Sequence, residues 1–175
     1  IGSEEWVSSG RTGIEPGWAR DDMNANIPDS PLPPPGGYTA FPAGGWVDGT
    51  YYDWILASGV YQVSSLQLSS SQKILVTGDV DLKVDGDVQM TGSSAIKIAS
   101  TGNLRMFVSG STASLGGNGI INESTDTWRF SYYGAKTNTR ITYSGTSAFY
   151  GIIYAPYAEL NLAGGSLIYG GTVSK

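Results

Sequence analysis

From about residue 55 the chain settles into short alternating segments. Val80-x-Leu82-x-Val84, Val88-x-Met90, Ile96-x-Ile98 and Leu104-x-Met106 each place apolar side chains on one face and polar ones on the other. That is the period of a strand with one buried side. The leading residues 80, 88, 96 and 104 are eight apart, and Gly78, Gly86, Gly102 and Gly110 keep the same register, with Ser94 in the remaining slot. Glycine at fixed intervals supplies turns that need positive φ. Three such strands make a coil of about 24 residues, the size of one β-helix turn. Val, Leu, Ile and Met would then stack inward from coil to coil, with Asp81, Lys83, Gln89, Lys97 and Arg105 facing water. A meander barrel is the main alternative, but it prefers longer strands and clearer hairpin turns.

The last third repeats the pattern in Ile141-x-Tyr143, in Phe149 to Pro156, in Ala158-x-Leu160-x-Leu162 and in Leu167-Ile168-Tyr169-Gly170-Gly171. Between these regions, about residues 122–138 read as an irregular insertion carrying Trp128, Phe130, Tyr132 and Tyr133. Residues 1–50 differ from both. They hold Trp6, Trp18 and Trp46 and the run Pro28-Asp29-Ser30-Pro31-Leu32-Pro33-Pro34-Pro35-Gly36-Gly37. Proline lacks the backbone donor and fixes φ, so this run is extended and polyproline-like rather than helix or central strand. The expected organisation is an extended Pro- and aromatic-rich arm over 1–50, not an independent domain, followed by a β-solenoid over 51–175. Such an arm needs a surface for its aromatics, either its own solenoid or a neighbouring subunit.

Composition narrows the function. With 40% apolar and 14% charged residues and 25 Gly in 175 positions, the chain suits many short strands joined by tight turns. The net charge of −5, with 10 Lys and Arg against 15 acids, argues against binding nucleic acid. Without Cys or His there is no thiolate nucleophile, no Cys-ligated metal and no Ser-His-Asp triad. No segment is apolar enough to be read as a membrane-spanning helix. The chain starts at Ile1 rather than Met, which reads as a processed or trimmed chain.

Several stretches are specific enough to suggest kinship. Asp22-Met23-Asn24-Ala25-Asn26, Lys73 to Gly78, Gly116 to Ser124, Phe130 to Gly134 and above all Phe149-Tyr150-Gly151-Ile152-Ile153-Tyr154-Ala155-Pro156-Tyr157-Ala158 resemble the uncharacterised β-helix domain of bacterial exported proteins, notably Verrucomicrobia-type members. The resemblance covers roughly residues 20–173. It implies an all-β fold, a right-handed parallel β-helix, and an extracellular or cell-surface setting with a link to pilus assembly. It brings no catalytic residues and no cofactor.

Three function classes follow. The leading expectation is a non-enzymatic structural protein, the subunit of a self-assembling surface filament or pilus-like fibre whose partner is itself. A solenoid exposes unpaired backbone at its ends, and an open edge recruits another chain. Trp6, Trp18, Trp46, Leu167, Ile168 and Tyr169 are the interface candidates. The alternative is a monomeric adhesin that binds cell-surface glycan through Trp128, Tyr132 and Tyr133. The third is a calcium-dependent polysaccharide lyase. Asp79, Asp81, Asp85 and Asp87 are weak calcium candidates because oxygen ligands suit that ion, but aspartate is also a good turn residue, and no calcium-binding repeat is present.

Overall fold

The computed structural model describes residues 27–164 and 167–175. The strands are short: β1 (Gly45–Val47), β2 (Thr50–Tyr52), β3 (Trp54–Leu56), β4 (Gly59–Val63), β5 (Leu66–Leu68), β6 (Lys73–Val76), β7 (Asp79–Val84), β8 (Val88–Met90) and β9 (Ala95–Ile98). They continue with β10 (Asn103–Val108), β11 (Thr112–Leu115), β12 (Gly119–Asn122), β13 (Phe130–Gly134), β14 (Arg140–Tyr143), β15 (Phe149–Ala155), β16 (Glu159–Leu162) and β17 (Ile168–Ser174). A 3₁₀ turn, Thr127–Arg129, precedes β13.

All but β1 and β2 belong to three parallel sheets, with strand orders β17-β15-β13-β10-β7-β4, β16-β14-β11-β8-β5 and β12-β9-β6-β3. Each coil passes once through the four-, the six- and the five-stranded sheet, giving a parallel β-solenoid of about five turns. Val80 pairs with Leu104, 24 positions on, which is the repeat read from the sequence. The eight-residue spacing has a direct cause. Val80, Val88, Ile96 and Leu104 are the inward residues of four successive strands and all are buried.

The core is a set of ladders. Tyr61, Leu82, Met106, Tyr132 and Ile153 stand in register across the six-stranded sheet. Leu66, Val88, Ala113, Ile141 and Leu160 do so across the five-stranded sheet. The later coils fill their interior with aromatics: Phe130, Tyr132, Tyr143 and Phe149 are all fully buried. Phe149 meets Phe130 and Tyr143 edge to face, with ring centroids 5.2 and 5.3 Å apart. Gly151 makes the room, since a Cβ there would lie 2.8 Å from Phe130 Cδ1 and 3.0 Å from Phe149 Cε1. A buried amide enters this core. Asn138 is completely buried; its Oδ1 accepts from the Tyr132 hydroxyl at 3.0 Å and its Nδ2 donates to the Gly110 carbonyl at 2.8 Å.

The insertion expected at 122–138 is corrected by this arrangement. It contains β13, a central strand of the six-stranded sheet. Phe130 and Tyr132 are its inward residues; the turn-forming sequences on either side hide that short alternation. Only the corners lengthen, so that Ala113 and Ile141 are 28 positions apart.

The arm folds back on its own solenoid. The Pro28 carbonyl accepts from the Tyr154 hydroxyl at 2.7 Å, and Asp29 accepts from Tyr157 at 2.6 Å and pairs with Lys136 at 2.9 Å. The Ser30 hydroxyl lies 2.5 Å from the Gly134 carbonyl and 3.1 Å from that of Tyr154. Further along, Lys83 sits 5.2 Å above the Tyr38 ring, and Thr39 pairs in parallel with Tyr61 of β4. The strap therefore crosses the outer face of the six-stranded sheet from the last coils to the first. Its track is an outward ladder in register: Lys83, Phe107, Tyr133 and Tyr154. Phe107 and Tyr133 stack at 5.1 Å, giving the aromatic surface that polyproline segments favour. Phe41 then closes the first coil against Trp54 and Tyr61, at 5.9 and 6.3 Å.

Candidate functional site

The structure separates the residues expected to bind glycan. Tyr132 is fully buried in the core ladder, and burial pushes its hydroxyl pKa up, partly offset by the Asn138 hydrogen bond. It cannot touch a sugar, so its expected role is corrected. Aromatic residues at alternate positions of a strand face opposite ways, and Tyr132 takes the inward one. Tyr133 takes the outward one but lies beneath the strap, where it lines a cavity of about 300 Å³ with Pro31, Pro33 and Phe107. Trp128 stands apart from both.

Trp128 projects from the 3₁₀ turn, 57% exposed, over the start of the six-stranded sheet. It overhangs a groove of about 320 Å³ that it lines with Asp79, Asp81, Asn103, Arg105 and Ser131. The groove floor follows from register, since Asp81, Arg105 and Ser131 are successive rungs of one outward ladder. Asp81 and Arg105 form an ion pair in which Nη2 donates to Oδ2 at 2.6 Å and Nε lies 2.5 Å from Oδ1. The Arg129 guanidinium lies 4.4 Å from the indole centre and donates to the Gly102 carbonyl at 3.2 Å, bracing the ring on one face.

The four aspartates do not converge. Asp79 and Asp81 share the groove. Asp85 is held by Gln62 at 2.5 Å and Lys83 at 3.0 Å, and Asp87 by the Thr112 amide at 2.9 Å. Those donors, Gln62 first for Asp85 and the Thr112 amide for Asp87, hold both carboxyls below the usual range. Among the described residues no group of three or more acidic side chains is placed to hold a metal ion. The calcium candidates Asp79, Asp81, Asp85 and Asp87 are therefore corrected to two groove residues and two corner anchors. The shared cause is their spacing: residues on one strand face one way, and the intervening turn carries the second pair to another corner.

The interface candidates fall into three groups. Trp6 and Trp18 lie outside the described residues. Trp46 sits on the β1–β2 hairpin, 74% exposed, its ring edge-on to Tyr51 at 5.7 Å. On β17 and the segment before it, Leu167 is 57% exposed, Tyr169 stacks on Tyr150 at 4.7 Å, and Ile168 turns toward the core in register with Phe149. Among the described residues β17 pairs only with β15, and β16 only with β14.

A family model for a domain of unknown function, DUF7305, matches residues 39–175. The chain belongs to the DUF7305 family. The DUF7305 match begins at Thr39, where the strap joins β4, and so takes in the solenoid but not the Pro-rich crossing. No curated protein and no solved structure matches the chain. No helix is long and apolar enough to cross a membrane among the described residues.

Two features of the structure were not singled out from sequence. Asp81 and Arg105 are 24 residues apart, one coil, so the repeat alone pairs them across a rung. Asn138 had no such signal, because nothing in a corner sequence distinguishes a buried amide from an exposed one.

Proposed function

We propose that this chain is a structural component of a bacterial surface assembly, a rigid solenoid that self-associates through its open end into an extracellular filament or pilus-like layer. The observation that carries the reading is the apolar edge of the last coil. In the first coil Thr39 bridges β4 and Phe41 packs on Trp54 and Tyr61, although β3 and β5 have no outer strand among the described residues. At the other end β16 and β17 leave their outer edges unpaired among the described residues beside exposed Leu162, Leu167 and Tyr169. An unpaired edge with apolar side chains is a template for another chain. A contact between two like ends closes as a dimer, and growth beyond it needs a second, different patch. The exposed Trp46–Tyr51 pair on the hairpin supplies a candidate.

Light scattering and negative-stain electron microscopy on the whole chain test this. Assembly should rise with concentration, stop at dimers in Trp46→Ala, and be lost in Leu167→Lys/Tyr169→Lys, which places charge on the open edge. A wild-type chain that stays monomeric across the concentration range would sink the proposal. A glycan-binding adhesin would then become the leading reading, favoured by the Trp128 groove.

A further inference from the structure

We infer that the groove beneath Trp128 is a binding site for a neutral saccharide. Three independent observations meet there. The first is an aromatic platform. With Arg129 against one face of the indole, the exposed part of Trp128 is its other face and edge, the surface on which the C–H face of a sugar ring packs. That platform is also braced rather than free, because Arg129 is itself anchored to the Gly102 carbonyl and lies 3.4 Å from Asp126.

The second observation is the polar lining. Asn103 and Asp79 line the groove with an amide and a carboxylate, and among the described residues both are held by their backbone amides, to Gly78 and Ser58, rather than by their side chains. Both side chains are left to offer donors and acceptors to vicinal hydroxyls. Arg105 donates from Nη2 to Asp81 Oδ2 and keeps further N–H donors. These groups stand on successive rungs of a parallel sheet, so their spacing is fixed by the backbone and needs little ordering on binding.

The third observation is charge. Arg105 is matched by Asp81 and Arg129 by Asp126, so among the described residues Asp79 is the groove charge without an ion-pair partner. A slightly negative groove repels uronate and sulfate groups and accepts a neutral ring. Its volume of about 320 Å³ is at the small end of ligand clefts, and it is open rather than enclosed, which suits a short stretch of a longer glycan.

The groove is lined by β7, β10, β13 and the turn before it and shares no residue with the edge proposed for self-association, so each proposal stands or falls alone. The test is affinity electrophoresis of the whole chain through gels containing soluble neutral polysaccharides (dextran, galactomannan, hydroxyethyl cellulose, glycol chitin in its acetylated form) and, in parallel, polygalacturonate and alginate. Retardation by at least one neutral polymer and by neither acidic one is expected. Trp128→Ala should weaken that retardation roughly tenfold or more, the size of one lost aromatic contact, and Asn103→Ala should weaken it severalfold. Trp46→Ala, an equally exposed tryptophan elsewhere, should leave it unchanged. Far-UV circular dichroism confirms that each variant is folded. Retardation by none of the neutral polymers, retention of full binding in Trp128→Ala, or a preference for the acidic polymers would each overturn the inference.

Discussion

Replacing Asn138 by Ala tests whether the buried polar link is what locks the aromatic coils together. The side chain is fully buried and satisfies two other groups at once, the Tyr132 hydroxyl at 3.0 Å and the Gly110 carbonyl at 2.8 Å. Its own backbone amide still bonds Ala135 at 2.9 Å after substitution, so the turn itself is retained. Truncation therefore leaves a donor and an acceptor stranded in the core. Each costs about 1–3 kcal/mol, so the expected loss is about 2–6 kcal/mol, a large share of a domain's stability. Tyr132→Phe strands only the amide oxygen and should cost about 1–3 kcal/mol. In the Asn138→Ala background the same change removes an already unpaired hydroxyl, so it should cost little or even stabilise. Urea unfolding followed by circular dichroism and by tryptophan fluorescence gives the four free energies of the cycle. A loss below about 1 kcal/mol for Asn138→Ala, or a coupling within about 0.5 kcal/mol of zero, would refute the reasoning.

Three further outcomes are expected. Phe107→Ala/Tyr133→Ala removes the stacked pair under the strap, so the amides of Thr39 and Gln62, bonded across the strap–β4 contact, should exchange hydrogen at least roughly tenfold faster while the β-spectrum is kept; unchanged exchange would show that the strap does not rest on these rings. Gly151→Ala drives a methyl against Phe130 and Phe149 and should cost about 1–3 kcal/mol in urea unfolding; a neutral result would mean that the rings have room to yield. Burial raises the pKa of Tyr132 and carries that of Tyr143 up to about 12. The unfolded chain releases these protons near pH 10 while the folded one retains them, so stability is full below about pH 10 and falls above it by about 1.4 kcal/mol per pH unit for each group. Urea midpoints at pH 9, 10 and 11 should fall accordingly and less steeply in Tyr143→Phe, and a flat profile would contradict the burial argument.

The solenoid was legible because its cause is periodic. Inward apolar residues and corner glycines recur once per strand, and the 24-residue coil emerges from that spacing alone. The stretch around β13 was not, because a five-residue strand carrying three aromatics between long corners has too few positions to display its period. The Trp128 site was half legible. An exposed tryptophan could be suspected, but its companions Asn103 and Arg105 come from the preceding coil and are found only by counting one repeat back. Tyr132 and Tyr133 were grouped with Trp128 by proximity in sequence, whereas strand geometry sends the three to a core, a strap and a groove. The strap's destination has no local signal, because Pro28 meets Tyr154 across most of the chain.

The returning strap has a mechanical consequence. Pro28 and Asp29 are bonded to Tyr154 and Tyr157, and the Lys175 amide bonds the carbonyl of neighbouring Ala158 at 2.8 Å. Residue 28 and residue 175 thus lie at one end of the solenoid, because the strap runs the length of the stack and the coils then return along it. A pull applied across these two points would not shear the stack along its length. It would peel the strap and β17 from the same corner, a few bonds at a time, and leave the aromatic-closed first coil as the last part to feel the load.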